Sequence, residues 1–302
     1  MPAPITYLGY ITSHNFSPSM LKSTLHRLAA PLSRSISSYQ YLKVETPSPK
    51  VYHVQLNRPD KRNALNMEMW AELGNCFDEL SVTPDCRAVV LSGNGKMFCA
   101  GIDLSAFLSV VPKQEDIAHR SLELINTIKR LQDSFTSVEK CRKPVIAAIH
   151  GACIGGGVDI ICATDIRLIS ADAYFQVKEV DIGIAADVGT IQRLPKIVGN
   201  QSLVNEYCLT ARKFYADEAS RVGIVSAVYP DRAALLENAV ALAARIASKS
   251  PVAVQGTKSN LVFSRDHTVQ QGLDRIGLWN AAMLLGADPI NAMTGADGFG
   301  DP

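Results

Sequence analysis

The chain has 302 residues, of which 47% are hydrophobic and 20% charged. These are globular proportions, and they exclude a disordered or collagen-like chain. Thirty basic residues against 29 acidic ones give a formal charge of +1. That balance argues against broad nucleic-acid or anionic-membrane binding and still allows one small basic pocket. No apolar run approaches the ~20 residues needed to span a bilayer.

Residues 1–44 contain no Asp or Glu, and they carry Lys22, His26, Arg27, Arg34, Lys43 and many serines. A basic, Ser-rich, acid-free arm is expected to be a mitochondrial targeting segment, which places the protein in the matrix. From Met20, a second candidate start, Leu21, Leu25 and Leu28 share one face of a short amphipathic helix. The peroxisome is the alternative compartment, although the chain closes on Gly300-Asp301-Pro302 rather than on a serine-lysine-leucine signal.

Beyond the arm, strands and helices alternate. VYHVQLNRP (51–59) alternates and breaks at Pro59, as a strand does. Met69, Leu73, Phe77 and Leu80 have helical spacing within 66–80. CRAVVLSG (86–93) is a buried strand, and 114–138 is a long amphipathic helix through Ile117, Leu122, Leu124, Ile125, Ile128 and Leu131. PVIAAIHG (144–151) is a further strand, and 165–177 holds two short ones. Strands are then expected to stop, with helices over 200–209, 216–222, 231–248, 251–264 and 268–285. The expected organisation is a targeting arm (1–44), an α/β core (45–230) and a helical C-terminal region (231–302).

The seven cysteines are odd in number, lack CxxC spacing and lie mostly in apolar text. They suit a reducing compartment better than a disulfide framework, and neither they nor the histidines suggest a metal site.

Two glycine-containing loops each follow a buried strand: residues 93–104 and residues 150–159. Neither has the spacing of a dinucleotide or P-loop fingerprint. Brought together, their small residues could let two backbone N–H groups approach one oxygen, as in an oxyanion hole; ordinary turns are the plainer alternative. Three acids follow. Asp159 lies just past Gly157, Glu179 follows a strand, and Asp187 sits in IGIAADVGT. An acid in apolar text has a raised pKa and is a candidate for proton transfer. Asp187 could instead cap a helix starting at Val188, Glu179 could pair with a nearby lysine, and Asp159 could serve its own helix.

FCAGIDL (98–104), HGACIGGGVDI (150–160) and QVKEVDIGIAADVGTIQRLPKIVG (176–199) resemble the enoyl-CoA hydratase/isomerase (crotonase) superfamily, over about residues 48–285. The dienoyl-CoA isomerase branch is the nearest, because Asp159, Glu179 and Asp187 occur together. The resemblance implies a crotonase-like spiral of ββα units with a helical C-terminal trimerisation region, and a homo-hexamer built as a dimer of trimers. It implies conversion of 3,5-dienoyl-CoA to 2,4-dienoyl-CoA in β-oxidation of unsaturated fatty acids. The alternatives are a hydratase or a 3-enoyl to 2-enoyl isomerase of the same fold, or a non-catalytic RNA-binding or scaffold relative. By resemblance, Ala100 and Gly156 supply the oxyanion hole, and Ala100, Gly101, Ile102, Asp103, Leu104 and Gly156 line the acyl-CoA site. Arg58, Lys61, Arg62 and Ala64 lie where relatives meet the CoA phosphates. Glu179 takes the C2 proton, Asp187 delivers at C6, and Asp159 raises the pKa of both. The substrate is the CoA thioester, and no metal or other cofactor is implied.

Overall fold

In the computed structural model, which describes residues 36–294, 299 and 300, strands of two sheets alternate with helices. The larger sheet uses β1 (Leu42–Ser48), β2 (Val51–Leu56), β3 (Ala88–Gly93), β4 (Val145–Ile149), β6 (Ile166–Ser170) and β9 (Ala227–Tyr229), side by side in that order. β1 pairs antiparallel with β2, and every later pairing is parallel. The smaller sheet holds β5 (Ala152–Ile154), β7 (Tyr174–Gln176) and β8 (Phe214–Tyr215). Cys99 pairs with Cys153 on its edge through a single bridge.

This produces a repeated β-β-α unit. β3, the stretch around Cys99 and α2 (Leu104–Val110) form one turn of it. β4, β5 and α4 (Gly156–Cys162) form the next, and β6, β7 and α5 (Thr190–Ile197) the third. The spiral of ββα units expected from the resemblance is the observed fold.

Alternation along the strands divides the core. Val89 and Leu91 of β3, with Val145, Ala147 and Ile149 of β4, face the main cluster under α1 (Met67–Val82) and α3 (Ile117–Lys140). Their neighbours Ala88, Val90, Ile146 and Ala148 face Leu235, Ala239 and Ala243 of α8 (Arg232–Ala247). Parallel strands covered on both faces read as continuous apolar runs, which explains why they were legible.

Four expectations change. Residues 36–44 belong to the body rather than to an arm: Leu42 is buried, Tyr39 donates to Glu79 at 2.7 Å, and β1 begins at residue 42. The rest of the arm, including the Met20 helix, lies outside the described residues. Strands do not stop at 177, since β8 and β9 follow. α8 covers the sheet, so the first helix of the expected C-terminal region is part of the core. Finally, Ile117, Leu122 and Ile125 of α3 are exposed, and its burial is concentrated toward Leu131, Phe135 and Val138.

α6 (Gln201–Thr210), α7 (Ala216–Arg221), α9 (Pro251–Phe263) and α10 (Val269–Met283) occupy the stretches read as helical, and α11 (Ala287–Thr294) follows. Among the described residues no helix is long and apolar enough to cross a membrane.

Candidate active site

The two glycine loops are bonded to each other. Phe98 N–H donates to the His150 carbonyl at 2.8 Å, Cys99 N–H to Ala152 at 3.1 Å, and Ile154 N–H to Cys99 at 3.0 Å. Glycine is required where they touch. Gly101 has φ 89°, and a Cβ there would stand 3.0 Å from the Ile154 carbonyl oxygen. A Cβ on Gly157 would stand 2.9 Å from Cys99 Cβ, whereas one on Gly156 would meet only the movable tip of Leu65, at 2.9 Å. Asn63 fixes the start of the first loop: it is fully buried, and its Nδ2 donates to the carbonyls of Asn94, Met97 and Phe98. The sequence reading missed this residue.

Ala100 does not offer the free N–H expected of it, because that group donates to the Arg62 carbonyl at 3.1 Å. Two residues on, Ile102 pairs with Leu65 in a parallel bridge. The bridge uses the Gly101 carbonyl and the Asp103 N–H, and it leaves the Ile102 N–H without a partner among the described residues. Gly156 opens α4, where a first-turn N–H has no partner within the helix. The two free donors therefore belong to Ile102 and Gly156, and both residues line one cavity of about 470 Å³.

The cavity is mostly apolar, walled by Trp70, Leu104, Leu124, Ile128 and Leu131, and Asp159, Glu179 and Asp187 all open on it. Ala100 and Gly101 line it as expected, but Asp103 does not. The Asp103 carboxylate accepts from Ser105 N–H and Oγ and pairs with Arg58 at 3.1 Å. Arg58 also donates to the Ala64 carbonyl and lies over the Tyr41 ring. Arg58, Ala64 and Asp103 therefore brace the loop, and Arg58 is not a free phosphate ligand. Lys61 and Arg62 remain exposed.

Each acid has a distinct setting. Asp159 is fully buried, and its Oδ1 accepts the Thr190 N–H at 2.5 Å, while its Oδ2 has no partner among the described residues. Burial first, and then the Glu179 charge, pushes its pKa up to about 7. Glu179 opens a 3-10 turn over residues 179–182. Lys178 pairs with Asp181 at 2.7 Å rather than with Glu179. The Glu179 Oε2 is buried without a partner, and Oε1 lies 3.4 Å from where a Gly155 Cβ would stand, beside the Gly156 donor. Burial and then Asp187 raise the Glu179 pKa. Asp187 is raised by burial as well, although it is the most exposed of the three. It does not cap a helix: α5 starts at Thr190 with Gly189 as N-cap. The Asp187 carbonyl instead accepts from Gln132 Nε2 at 2.6 Å, a contact the sequence did not reveal.

The Asp159 setting gives a stability prediction. An acid whose folded pKa lies above its unfolded one holds more protons when folded, so stability falls as pH rises through that window. For Asp159 the window runs from roughly 4, its unfolded value, to about 7. Asp159→Asn keeps an oxygen for Thr190 and removes the titration. Relative to this variant, the wild type is expected to lose up to about 4 kcal/mol across the window. Urea midpoints at both ends measure it, and parallel pH dependences would contradict it.

The family model for enoyl-CoA hydratase/isomerase matches residues 47–276, and the chain belongs to that family. Among its relatives, a human protein named mitochondrial Delta(3,5)-Delta(2,4)-dienoyl-CoA isomerase is 56% identical over 85% of this chain and 79% of its own length. Its rat namesake is 53% identical over 93% and 88%. A peroxisomal namesake from Arabidopsis thaliana is 45% identical over 86% and 95%. The crystal structure of an enoyl-CoA hydratase from Bacillus anthracis superposes with a TM-score of 0.77, at 28% identity, over 84% of this chain and 95% of that one.

Proposed function

We propose that the chain converts 3,5-dienoyl-CoA to 2,4-dienoyl-CoA by moving a proton from C2 to C6, in the β-oxidation of unsaturated fatty acids. The observation that carries this reading is the convergence of three acids of raised pKa and two free backbone donors on one apolar cavity. The identity to relatives named for that reaction supports it.

The C2 proton of a thioester is acidic only when the enolate oxygen that forms is stabilised. The Ile102 and Gly156 N–H groups hold that oxygen, and removing one such donor costs on the order of 3 kcal/mol of transition-state stabilisation. C2 and C6 are too far apart for one fixed carboxylate, so two are used. The Glu179 carboxylate, beside the Gly156 donor, takes the C2 proton, and the electron pair passes into the dienolate. The Asp187 acid gives its proton to C6. Asp159 was expected to raise both neighbours, but the charges act the other way: burial and then Glu179 and Asp187 push Asp159 up, so it stays protonated more readily than an ordinary aspartate. No electrons leave the substrate, so the reaction calls for no redox group, and the backbone donors take the part of a Lewis acid.

The reaction belongs to the mitochondrion, as the names of the human and rat relatives support, and within it to the matrix by the reading of the basic arm, with the peroxisome as the alternative. We also propose a hexamer of two trimers. It is supported by α10, which buries none of its residues within the chain yet exposes Leu273 and Leu278.

The test follows the absorbance of 3,5-dienoyl-, 2-enoyl- and 3-enoyl-CoA with the purified chain. Conversion of the dienoyl substrate is expected, and conversion of the enoyl substrates alone would contradict the reading.

A further inference from the structure

The Glu179–Asp187 division of labour leaves both acids in the wrong state. After one turnover Glu179 carries a proton and Asp187 carries none, so the next turnover requires both to be reset. A second cavity, of about 490 Å³, adjoins the first. Among the described residues only Asp187 and Val188 line both, and they stand between the two. The second cavity has a mixed lining: Val262, Phe263 and Ile197 are apolar, while Gln132, Thr136, Gln192, Arg193 and Lys196 supply polar groups that can hold water. Neither Glu179 nor Asp159 lines it.

The partition is held in place from three sides. Gln132 binds the Asp187 carbonyl, Asp159 binds the Thr190 N–H, and Arg193 packs against Gly189. Arg193 is itself fixed by Glu139 at 2.9 Å and Thr136 at 3.1 Å, and Glu139 also holds Arg265 at 2.6 Å. Asp187 stands between the apolar acyl cavity and a second one of mixed lining, so its carboxyl can meet substrate on one side and water on the other.

We propose that the second cavity is a proton entry route, through which Asp187 is recharged from solvent independently of the acyl cavity. This rests on the reading of Asp187 as the C6 acid. In the reset, the ionised Asp187 takes a proton from water in the second cavity, and Glu179 passes its proton to water at the mouth of the first, slowly while the dienolate is held and freely as product leaves. One proton enters and one departs, so the cycle balances. The proton delivered to C6 is therefore a solvent proton and not the one removed from C2.

The experiment uses 3,5-dienoyl-CoA deuterated at C2, turned over many times in ordinary water by the full chain, with mass spectrometry locating the label in the product. The wild type is expected to give product with protium only at the new C6 position. Deuterium at C6 would show direct return from Glu179 to Asp187 and would overturn the route while leaving the isomerase reading intact. Absence of any dienoyl conversion would overturn that reading instead.

Filling the cavity separates this route from exchange through the acyl mouth. Gln192 is an exposed position on α5, outside the acyl cavity. Gln192→Trp is expected to lower kcat severalfold with KM unchanged, and to bring deuterium to C6. Gln192→Ala, which leaves the cavity open, is expected to behave as wild type. Unchanged kcat and label-free C6 in Gln192→Trp would overturn the proposal.

Discussion

Asp187→Asn lowers dienoyl-CoA isomerisation by roughly 10²- to 10⁴-fold, the usual contribution of a positioned general acid or base, and leaves the fold intact. The substitution preserves volume and removes the proton that C6 requires. The structure removes the competing explanation for any loss. α5 is capped by Gly189 and uses no side-chain cap, so Asp187 contributes nothing to helix stability by that route. The bond from Gln132 goes to the Asp187 backbone carbonyl and survives the change. Steady-state turnover together with a thermal melt measures both halves of the claim. Near-wild-type turnover would contradict the two-carboxylate mechanism, and a large fall in melting temperature would indicate a structural role instead.

Glu179→Gln is expected to cause a loss of the same order, because an amide cannot accept the C2 proton. The pH dependence of kcat/KM follows from the same two groups. Burial raises the Glu179 pKa, so the acid limb, where Glu179 becomes protonated and inactive, lies above the ordinary glutamate range. Burial also raises Asp187, and loss of its proton forms the alkaline limb. Two acids facing one cavity interact, so the limbs belong to the pair rather than to either residue. A bell-shaped profile is expected. An acid limb at an ordinary glutamate value would contradict the burial argument, and one that persists unchanged in Glu179→Gln would contradict the assignment.

The strands buried on both faces were legible in the sequence because their apolar runs end at glycine or proline. The helices from 200 onward were legible because each presents a run of helix-forming text with a clear start. β8 and β9 were not, since two- and three-residue strands between helices carry no period to detect. β1 was hidden because LKVETPS is mostly exposed and has only a weak alternation. The apolar residues in the first half of α3 signalled a buried face that this chain leaves largely uncovered.

At the site, the sequence located the acids and the loops but not the free donor. Ala100 and Ile102 stand in the same motif, and which N–H is spent depends on partners some 40 residues away, at Arg62 and Leu65. Arg58 and Asp103 each looked available to ligand, and only the fold shows that they bind each other. Asp187 sits in apolar text but is exposed, while its neighbours Ala186 and Val188 are buried.

The most direct measurement of the mechanism is deuterium uptake at C2 of bound substrate in D₂O. The dienolate held by Ile102 and Gly156 returns to reactant part of the time, so exchange occurs without full isomerisation. If Glu179 is the C2 base, Asp187→Asn continues to exchange at C2 while its turnover collapses, and Glu179→Gln loses both exchange and turnover. The opposite pattern, with exchange surviving in Glu179→Gln and lost in Asp187→Asn, would contradict the assignment of the two carboxyl groups.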